Sequence, residues 1–311
     1  TIDKLKNNKA TGPDNVVAEL VKELDGHNRQ QLLTTFNKVH SSHRIEEDLS
    51  LASVASIYKK GDSTNLENYR PISLLQTFYK ILAALVKERI DAGIDVYISK
   101  TQYGFRKHRS TAQAIFLARR LLDISEKQGS NISLILLDWE RAFDKFAHSR
   151  LLEALETLNI PHNMLGIIEA IYKEPKCKVV VSEVHSKYNV QITGIRQGCP
   201  LSPFLFILVM TVLMFDVRAR LNTKKQNEPI DGITFGDILY ADDTLIFGTH
   251  TQNINKLLKE IETESLYYNV KLNYNKCVNI TVNQRQSSVK FGNGTLVPRA
   301  NQAVYLGTIL S

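Results

Sequence analysis

The chain has little cysteine, and its few cysteines are far apart. The 311 residues include three, Cys177, Cys199 and Cys277. An odd number of distant cysteines, without histidines at metal-binding spacing, argues against a disulfide framework and against a zinc site. Such cysteines fit a reducing compartment. We therefore expect an intracellular protein, nuclear or cytoplasmic.

The chain also lacks a hydrophobic run long enough to span a bilayer, and it lacks a targeting segment. Its longest apolar run, FLFILVMTVLMF at 204–215, has 12 residues, whereas a membrane helix takes about 20. We interpret the run as part of a buried helix over 204–220 and expect no membrane partner. No signal peptide opens the chain, and its first residue is Thr1 rather than Met. We therefore expect an excised segment of a larger protein.

Acidic residues are outnumbered by basic ones. The sequence has 39 Lys and Arg against 32 Asp and Glu, a formal net charge of +7. This excess suits a polyanionic partner, and nucleic acid is the first candidate. The remaining composition, 43% hydrophobic and 23% charged, is that of an ordinary globular protein. Because no repeat, low-complexity tract or long linker interrupts it, we interpret the chain as one continuous unit of catalytic size.

Hydrophobic periodicity predicts alternating helices and strands after a largely helical N-terminal third. Strands are predicted over 51–58, 132–138 and 177–182, on both sides of Asp242, and near 277–281 and 304–308; helices are predicted over 78–90, 148–158, 204–220 and 252–268. This order favours an antiparallel sheet backed by helices. The expected fold class is therefore α+β.

Three carboxylates stand at the ends of predicted strands. Asp242 and Asp243 interrupt ILYADDTLIF (238–247), and Asp138 ends ISLILLD (132–138). Adjacent like charges repel unless a cation or hydrogen-bond donors compensate. If the two strands are neighbours, the carboxylates converge, and oxygen ligands of this kind select hard cations such as Mg²⁺. A pair of such ions promotes in-line phosphoryl displacement. An acidic hairpin turn and a strand cap are the alternatives.

Seven blocks in a fixed order resemble one protein family. They are NYRPISLL (68–75), QYGFRKHRST (102–111), LLDWERAFDKF (136–146), RQGCPLSPFLF (196–206), YADD (240–243), LNYNKC (272–277) and YLGTIL (305–310). Together they closely resemble the reverse-transcriptase domain of non-LTR retrotransposons, the long-interspersed-element type. RQGCPLSP is similar to the form of this block in non-LTR enzymes, and NNKATGPDNVVAEL (7–20) resembles the N-terminal extension of these enzymes.

The resemblance implies a right-hand polymerase core of fingers and palm. It puts the N-terminal extension and fingers at 1–128 and the palm at 129–299, with a fingers/palm segment at about 147–195. Residues 300–311 are then the primer-grip strand that leads to a thumb, which we expect to be missing from this chain together with the endonuclease of the parent polyprotein.

The implied activity is RNA-directed DNA synthesis, in which deoxynucleotides (dNTPs) are added to a primer 3′-hydroxyl with two Mg²⁺ ions, or with Mn²⁺ in their place. The implied partners are an RNA template, a DNA primer or target, and dNTPs. The parent element is expected to use target-primed reverse transcription. The alternatives are a group II intron-like or cellular reverse transcriptase, and a decayed fragment that only binds RNA.

The resemblance also assigns roles to residues of this chain. The implied metal ligands are Asp138, Asp242, Asp243 and the backbone carbonyl of Trp139. Lys276 is expected to protonate or steady the departing pyrophosphate. The implied substrate contacts are Lys59, Lys60, Arg70, Trp139, Phe143, Gln197, Gly198, Tyr240 and Ala241, and the implied nucleic-acid contacts are Arg106, Lys107, Arg109, Tyr305, Leu306 and Gly307.

The charged residues among these have plain structural alternatives. Arg70 offers a bidentate guanidinium to a triphosphate, and Lys59 or Lys60 offers a point charge, but solvated surface charge would look the same. The basic cluster at 106–109 is able to bind template phosphates, although solubility at a helix start also explains it.

The uncharged residues have alternatives too. Phe143 either faces the incoming sugar and excludes a 2′-hydroxyl, or packs in the palm core. Gln197 and Gly198 either approach the nucleotide and template base, or form the turn into the helix at 204–220. The block at 305–307 is either a primer contact or a buried strand end with a turn glycine.

Overall fold

The computed structural model describes residues 1–221, 236–283 and 288–311. Its helices are α1 (Ala18–Lys22), α2 (Gly26–Ser42), α3 (Glu47–Ser50), α4 (Thr77–Ile94), α5 (Thr111–Gln128), α6 (Ala142–Lys145), α7 (His148–Thr157), α8 (His162–Tyr172), α9 (Ser202–Arg220) and α10 (Thr251–Tyr267). Its strands are β1 (Ala52–Tyr58), β2 (Tyr69–Leu75), β3 (Ile132–Leu137), β4 (Lys176–Val181), β5 (Val184–His185), β6 (Asn189–Val190), β7 (Asp237–Tyr240), β8 (Asp243–Gly248), β9 (Val278–Val282), β10 (Ala303–Tyr305) and β11 (Thr308–Leu310).

These elements form two units, each built from two separate stretches of chain. Unit 1 comprises Thr1–Val96 and Ala147–Leu205, and unit 2 comprises Tyr97–Phe146 and Phe206–Ser311. The division into fingers and palm at residue 128 stays a prediction.

Unit 1 contains a mixed sheet. Its strand order is β2-β1-β4-β5, and β6 also pairs with β4. β1 runs antiparallel to β2 and parallel to β4. Helix α4 begins two residues after β2 ends and buries an apolar face that includes Tyr79, Leu82 and Val86. This unit carries Arg70 on β2.

Unit 2 contains an antiparallel sheet of order β7-β8-β3-β9. β3 is central and almost fully buried, which explains its unbroken apolar sequence ISLILL. Helix α5 packs against this sheet through Ala114, Ala118 and Leu121. The predicted α+β fold with an antiparallel sheet backed by helices is therefore confirmed.

Most predicted elements agree with the structure to within a few residues at their ends, but the single strand near 304–308 is wrong. β10 and β11 form a hairpin in which Tyr305 pairs with Thr308. Leu306 and Gly307 have φ of 49° and 81°, so they reverse the chain in a two-residue turn. The sequence hides this turn because leucine rarely adopts positive φ.

Helix α9 carries the longest apolar run. Every residue from Phe204 to Met214 is buried. By length and composition alone, α9 is the one helix in the described ranges that is able to cross a membrane. In the structure, 72% of its most apolar stretch is buried within the protein.

Candidate active site

The sheet of unit 2 brings the three predicted carboxylates together. β3 pairs with β8, and their last pair joins Leu137 to Thr244. Asp138 follows β3 directly, Asp243 begins β8, and Asp242 lies in the turn before it. The two strands that carry the carboxylates are neighbours, which meets the condition under which the sequence predicts that the carboxylates converge.

The turn between β7 and β8 is tight. Because Tyr240 pairs with Asp243, Ala241 and Asp242 alone reverse the chain. Ala241 has φ of 56°, a left-handed conformation that residues other than glycine adopt at a cost. Tyr240 is half-buried and Ala241 is buried. The substrate contacts expected of these two residues stay predictions.

The three carboxylates concentrate negative charge at one site. Although Asp243 reaches solvent, loss of hydration raises its pKa to about 6, and the charges of Asp242 and Asp138 add to the rise. This direction is expected where a cation binds. Over the described ranges, no three His, Cys, Asp or Glu side chains are arranged to hold a metal ion by themselves. Backbone and substrate oxygens would therefore complete the coordination of an ion here.

Trp139 has a backbone carbonyl in a suitable position. Trp139 forms an antiparallel bridge with Leu272. The hydrogen bonds of this bridge are made by the residues directly before and after each partner, and not by Trp139 and Leu272 themselves. In this pattern the Trp139 carbonyl points away from Leu272, toward the side on which β3 pairs with β8. The indole is buried, and its Nε1–H donates to Thr244 Oγ1 at 3.1 Å. The predicted metal contact thus fits the local backbone.

Cys277 supports the backbone of Asp138, a role that the sequence did not suggest. The Asp138 N–H donates to Cys277 Sγ at 3.4 Å, and the thiol approaches the Asp138 carbonyl at 4.0 Å. Burial raises the pKa of Cys277 to about 11. The thiol is therefore neutral at pH 7 and adds no charge beside the carboxylates.

A cavity of about 210 Å³ opens beside Asp138 and Asp243. Lys276 and Tyr305 also line it. The Tyr305 hydroxyl is buried and has no hydrogen-bond partner in the part of the chain that the structure describes. Burial, together with the charge of Asp243, raises the pKa of this phenol. The cavity therefore offers carboxylates, an ammonium group and a buried hydroxyl to a ligand.

The other residues of the predicted primer-grip block have different surroundings. Leu306 is half-buried and Gly307 is exposed in the turn after Tyr305. Leu306 and Gly307 thus reach solvent at the turn, whereas Tyr305 is buried and lines the cavity.

The basic cluster before α5 divides into one internal and two exposed side chains. Arg106 donates through Nη1 to the carbonyls of Ser99 and Gln102, at 2.8 and 3.1 Å. Lys107 and Arg109 are exposed, and the Arg109 guanidinium lies 5.4 Å from the centre of the Tyr103 ring. Lys107 and Arg109 are thus better placed than Arg106 for the predicted phosphate contacts.

In unit 1, Arg70 and Lys59 lie on the same face of a hairpin. Arg70 pairs with Ile57 across β2 and β1. The Lys59 N–H donates to Asn68 O at 2.8 Å, which extends the ladder beyond β1. Since alternate strand residues share a face, Lys59 lies on the side of Ile57 and Arg70. Lys60 comes after the ladder, and all three basic side chains are exposed.

The turn at Gln197 and Gly198 lies against β2. The Ser73 N–H donates to Gln197 O at 2.6 Å. A Cβ at Gly198, whose φ is 121°, would overlap the Ser73 carbonyl oxygen. The close approach that this glycine permits is therefore to β2. The approach to a nucleotide stays a prediction.

Arg196, which precedes this turn, was not predicted to matter. It is 1% exposed, donates through Nη1 to Ser50 O at 2.5 Å, and lies 5.4 Å from the centre of the Tyr79 ring. Its Nε and Nη2 have no hydrogen-bond partner among the described residues. Nothing in the sequence distinguishes this buried arginine from a solvated one.

Comparisons with known proteins identify the fold and the family. The family model for reverse transcriptase (RNA-dependent DNA polymerase) matches residues 57–310. The chain belongs to the reverse transcriptase family. It is 27% identical to the RNA-directed DNA polymerase from mobile element jockey of Drosophila funebris, over 99% of this chain and 34% of that protein. It is 28% identical to the transposon TX1 149 kDa protein of Xenopus laevis, over 70% of this chain and 16% of that protein.

These relatives are non-LTR retrotransposon proteins, so this reverse transcriptase is of the non-LTR type, as predicted. The chain spans about a third or less of the length of these two proteins. Its fold is also that of the apo telomerase of Candida tropicalis, with a TM-score of 0.60 and 13% identity, over 94% of this chain and 59% of that one.

Reverse transcriptases use divalent metal ions, and the donor set of this reverse transcriptase fits such ions. The set consists of oxygen atoms, which hard cations prefer, and burial together with the charges of Asp242 and Asp138 raises the pKa of Asp243, the direction expected at a cation site. The neutral Cys277 thiol beside Asp138 does not change this preference.

Phe143 of this reverse transcriptase is both packed and accessible. Its ring stacks on Phe206, with centroids 4.1 Å apart and planes 13° apart, and meets the edge of Phe105 at 6.5 Å. The side chain is nonetheless partly exposed. One face is thus fixed by packing, while part of the ring is left for another contact.

Proposed function

We propose that this chain copies RNA into DNA, adding dNTPs to a primer 3′-hydroxyl, as the polymerase segment of a non-LTR retrotransposon. The observation that carries the proposal is the group of three carboxylates at the ends of β3, β7 and β8, with a polar cavity beside it. In the parent element the primer is a nicked target DNA, in target-primed reverse transcription. The nick is made by an endonuclease.

The residues that would hold two Mg²⁺ ions, or Mn²⁺, are Asp138, Asp242 and Asp243 with the carbonyl of Trp139. When bound, such ions activate the primer 3′-oxygen and stabilise charge on the leaving pyrophosphate. The role of the protein is to fix the ligands. The register of β3 with β8 positions Asp138 and Asp243, and the two-residue turn positions Asp242.

The remaining residues are proposed to bind and orient the nucleotide. Lys276 lines the cavity that also contains Asp138 and Asp243, so its Nζ is suited to donate a proton to the pyrophosphate or to neutralise it. Arg70 and Lys59, on one face of their hairpin, offer a bidentate and a point charge to a triphosphate. Phe143 faces the sugar through its accessible part and excludes a 2′-hydroxyl.

Primer extension on an RNA template tests the proposal. We expect the chain to extend a DNA primer with dNTPs and Mg²⁺, and a chelator to abolish extension. Asp242→Asn removes a metal-binding charge with little change in shape, so extension should fall roughly 100-fold or more. The matched control is Asp123→Asn, the same change on the exposed surface of α5, which should extend as the wild type does.

Equal extension by Asp242→Asn and Asp123→Asn would contradict the metal site. A wild-type chain that binds RNA without extending any primer would support the alternative of an RNA-binding fragment.

A further inference from the structure

The catalytic turn is attached to a segment from another sequence block. Residues 101–103 run parallel to β7 along its edge: the Leu239 N–H donates to Thr101 O at 2.9 Å, and the Tyr103 N–H donates to Leu239 O at 2.8 Å. Thr101 also donates through Oγ1 to Asp237 Oδ1 at 2.6 Å, where β7 begins. The segment is therefore fixed along the strand that leads into Ala241 and Asp242.

The side chain of Gln102 continues this attachment into the turn itself. Gln102 is 0% exposed, and its Oε1 accepts hydrogen bonds from the Ala241 N–H at 3.1 Å and the Gly104 N–H at 2.8 Å. Ala241 is the residue with φ of 56°. A buried acceptor thus bonds the peptide N–H of the turn residue that has positive φ.

Gly104 makes this contact possible. A Cβ at residue 104 would overlap the peptide nitrogen of Ala241 and would lie 3.0 Å from the carbonyl carbon of Tyr240. Both atoms belong to backbone, which cannot swing aside as a long side chain does. Any side chain at residue 104 would therefore push the segment away from the turn.

The amide nitrogen of Gln102 bears on why this position is a glutamine and not an apolar residue. Its Nε2 is buried without a hydrogen-bond partner among the described residues. A buried donor without a partner destabilises the fold, and an apolar side chain of similar length would avoid that loss. A glutamine is favoured here if the hydrogen bond that its oxygen accepts at the turn stabilises the fold more than the unsatisfied nitrogen destabilises it.

We infer that Gln102 and Gly104 are positioning residues for the catalytic carboxylates: they hold Ala241 in its left-handed conformation and so fix the direction of Asp242 and Asp243. The inference rests on the proposed function, because it assigns these carboxylates to a metal site. Residues next to metal ligands typically change metal affinity 10- to 100-fold when they are replaced.

The single tryptophan of the chain provides a direct measurement. Trp139 is buried next to Asp138, and its Nε1–H bonds Thr244, the neighbour of Asp243. Titration with Mn²⁺ alone should quench its fluorescence, and excess Mg²⁺ should reverse the quenching. We expect Gln102→Met, which keeps the length but loses the acceptor, to weaken the apparent Mn²⁺ affinity roughly 10- to 100-fold. Gly104→Ala should weaken it as well.

Two further variants separate positioning from packing. Thr211→Val replaces a buried polar side chain elsewhere in unit 2, so it should lower the melting temperature without changing Mn²⁺ affinity. Ala241→Gly relieves the strain at positive φ, so the Gln102→Met/Ala241→Gly double variant should recover part of the affinity that Gln102→Met loses.

Wild-type Mn²⁺ affinity in Gln102→Met, or an equal loss in Thr211→Val, would overturn the inference and make Gln102 a packing residue. Failure of the double variant to recover affinity would overturn the link to Ala241. Because the titration requires no polymerisation, a chain that responds to Mn²⁺ in this way but extends no primer would contradict the proposed function and support the positioning role.

Discussion

At the scale of single residues, Phe143 combines firm packing with partial exposure. Its stacking on Phe206 holds the ring in place, while part of the side chain reaches solvent. A rigid ring discriminates by shape better than a mobile side chain, because a clash cannot be relieved by rotation.

We expect Phe143→Val to raise the incorporation of ribonucleotides relative to deoxynucleotides, since the smaller side chain would admit a 2′-hydroxyl. The quantity to measure is the ratio of kcat/KM values for the two nucleotides, which cancels any general loss of folded enzyme. Phe→Ala in a full core costs about 3 to 5 kcal/mol, so a half-buried position should lose less. Phe146→Leu, at a buried ring that contacts Phe206 from another side, is the control.

If Phe143→Val leaves the ratio of kcat/KM values unchanged and lowers the melting temperature as Phe146→Leu does, Phe143 is a core residue. Sugar selection would then belong to other residues, Gln197 and Gly198 being the next candidates.

At the scale of elements, the β1–β2 hairpin distinguishes two adjacent lysines. Its ladder extends to Lys59 and places this residue on the face of Arg70. The sequence left Lys59 and Lys60 equivalent, because the loop between the strands hid where the ladder ends.

We expect Lys59→Ala to raise the KM for dNTPs about tenfold, the effect of losing roughly 1.4 kcal/mol from a charge-assisted contact. Lys60→Ala, which removes the same charge one residue further along, should leave KM within about twofold. Steady-state kinetics on one primer and template measures both. A larger effect of Lys60→Ala would mean that the loop, rather than the ladder, faces the triphosphate.

Some features of the fold depend only on residues close together in the sequence, whereas others depend on distant residues. The strands and helices were predictable because apolar spacing is a property of neighbouring residues, and β3 and α9 are continuous apolar runs. The meeting of Asp138 with Asp243 followed from motif order and strand ends. The contacts of Gln102 with Ala241 and of Gly198 with Ser73 join residues more than 100 positions apart. Such contacts depend on register and turn geometry, which hydrophobic spacing does not encode.

At the scale of the whole molecule, the net charge of +7 favours contact with the phosphates of the proposed nucleic-acid partners. Binding to phosphates releases condensed counterions, so affinity falls as salt rises, and each phosphate contact contributes about one unit to the slope of log affinity against log salt. Exposed and internal basic residues should therefore differ in their effect on this slope.

The slope should distinguish the exposed side chains of the basic cluster before α5 from the internal one. Lys107→Ala and Arg109→Ala should each reduce the slope for an RNA–DNA duplex by about one unit, because both side chains are exposed at the helix start. Lys127→Ala, at the exposed far end of the same helix, is the control and should leave the slope unchanged. Arg106→Ala should mainly lower the melting temperature, since its guanidinium binds the carbonyls of Ser99 and Gln102. Titrations of a labelled duplex between about 50 and 200 mM salt measure the slopes. Equal slopes in Lys107→Ala, Arg109→Ala and the wild type would show that the cluster serves the fold and that the template phosphates bind elsewhere.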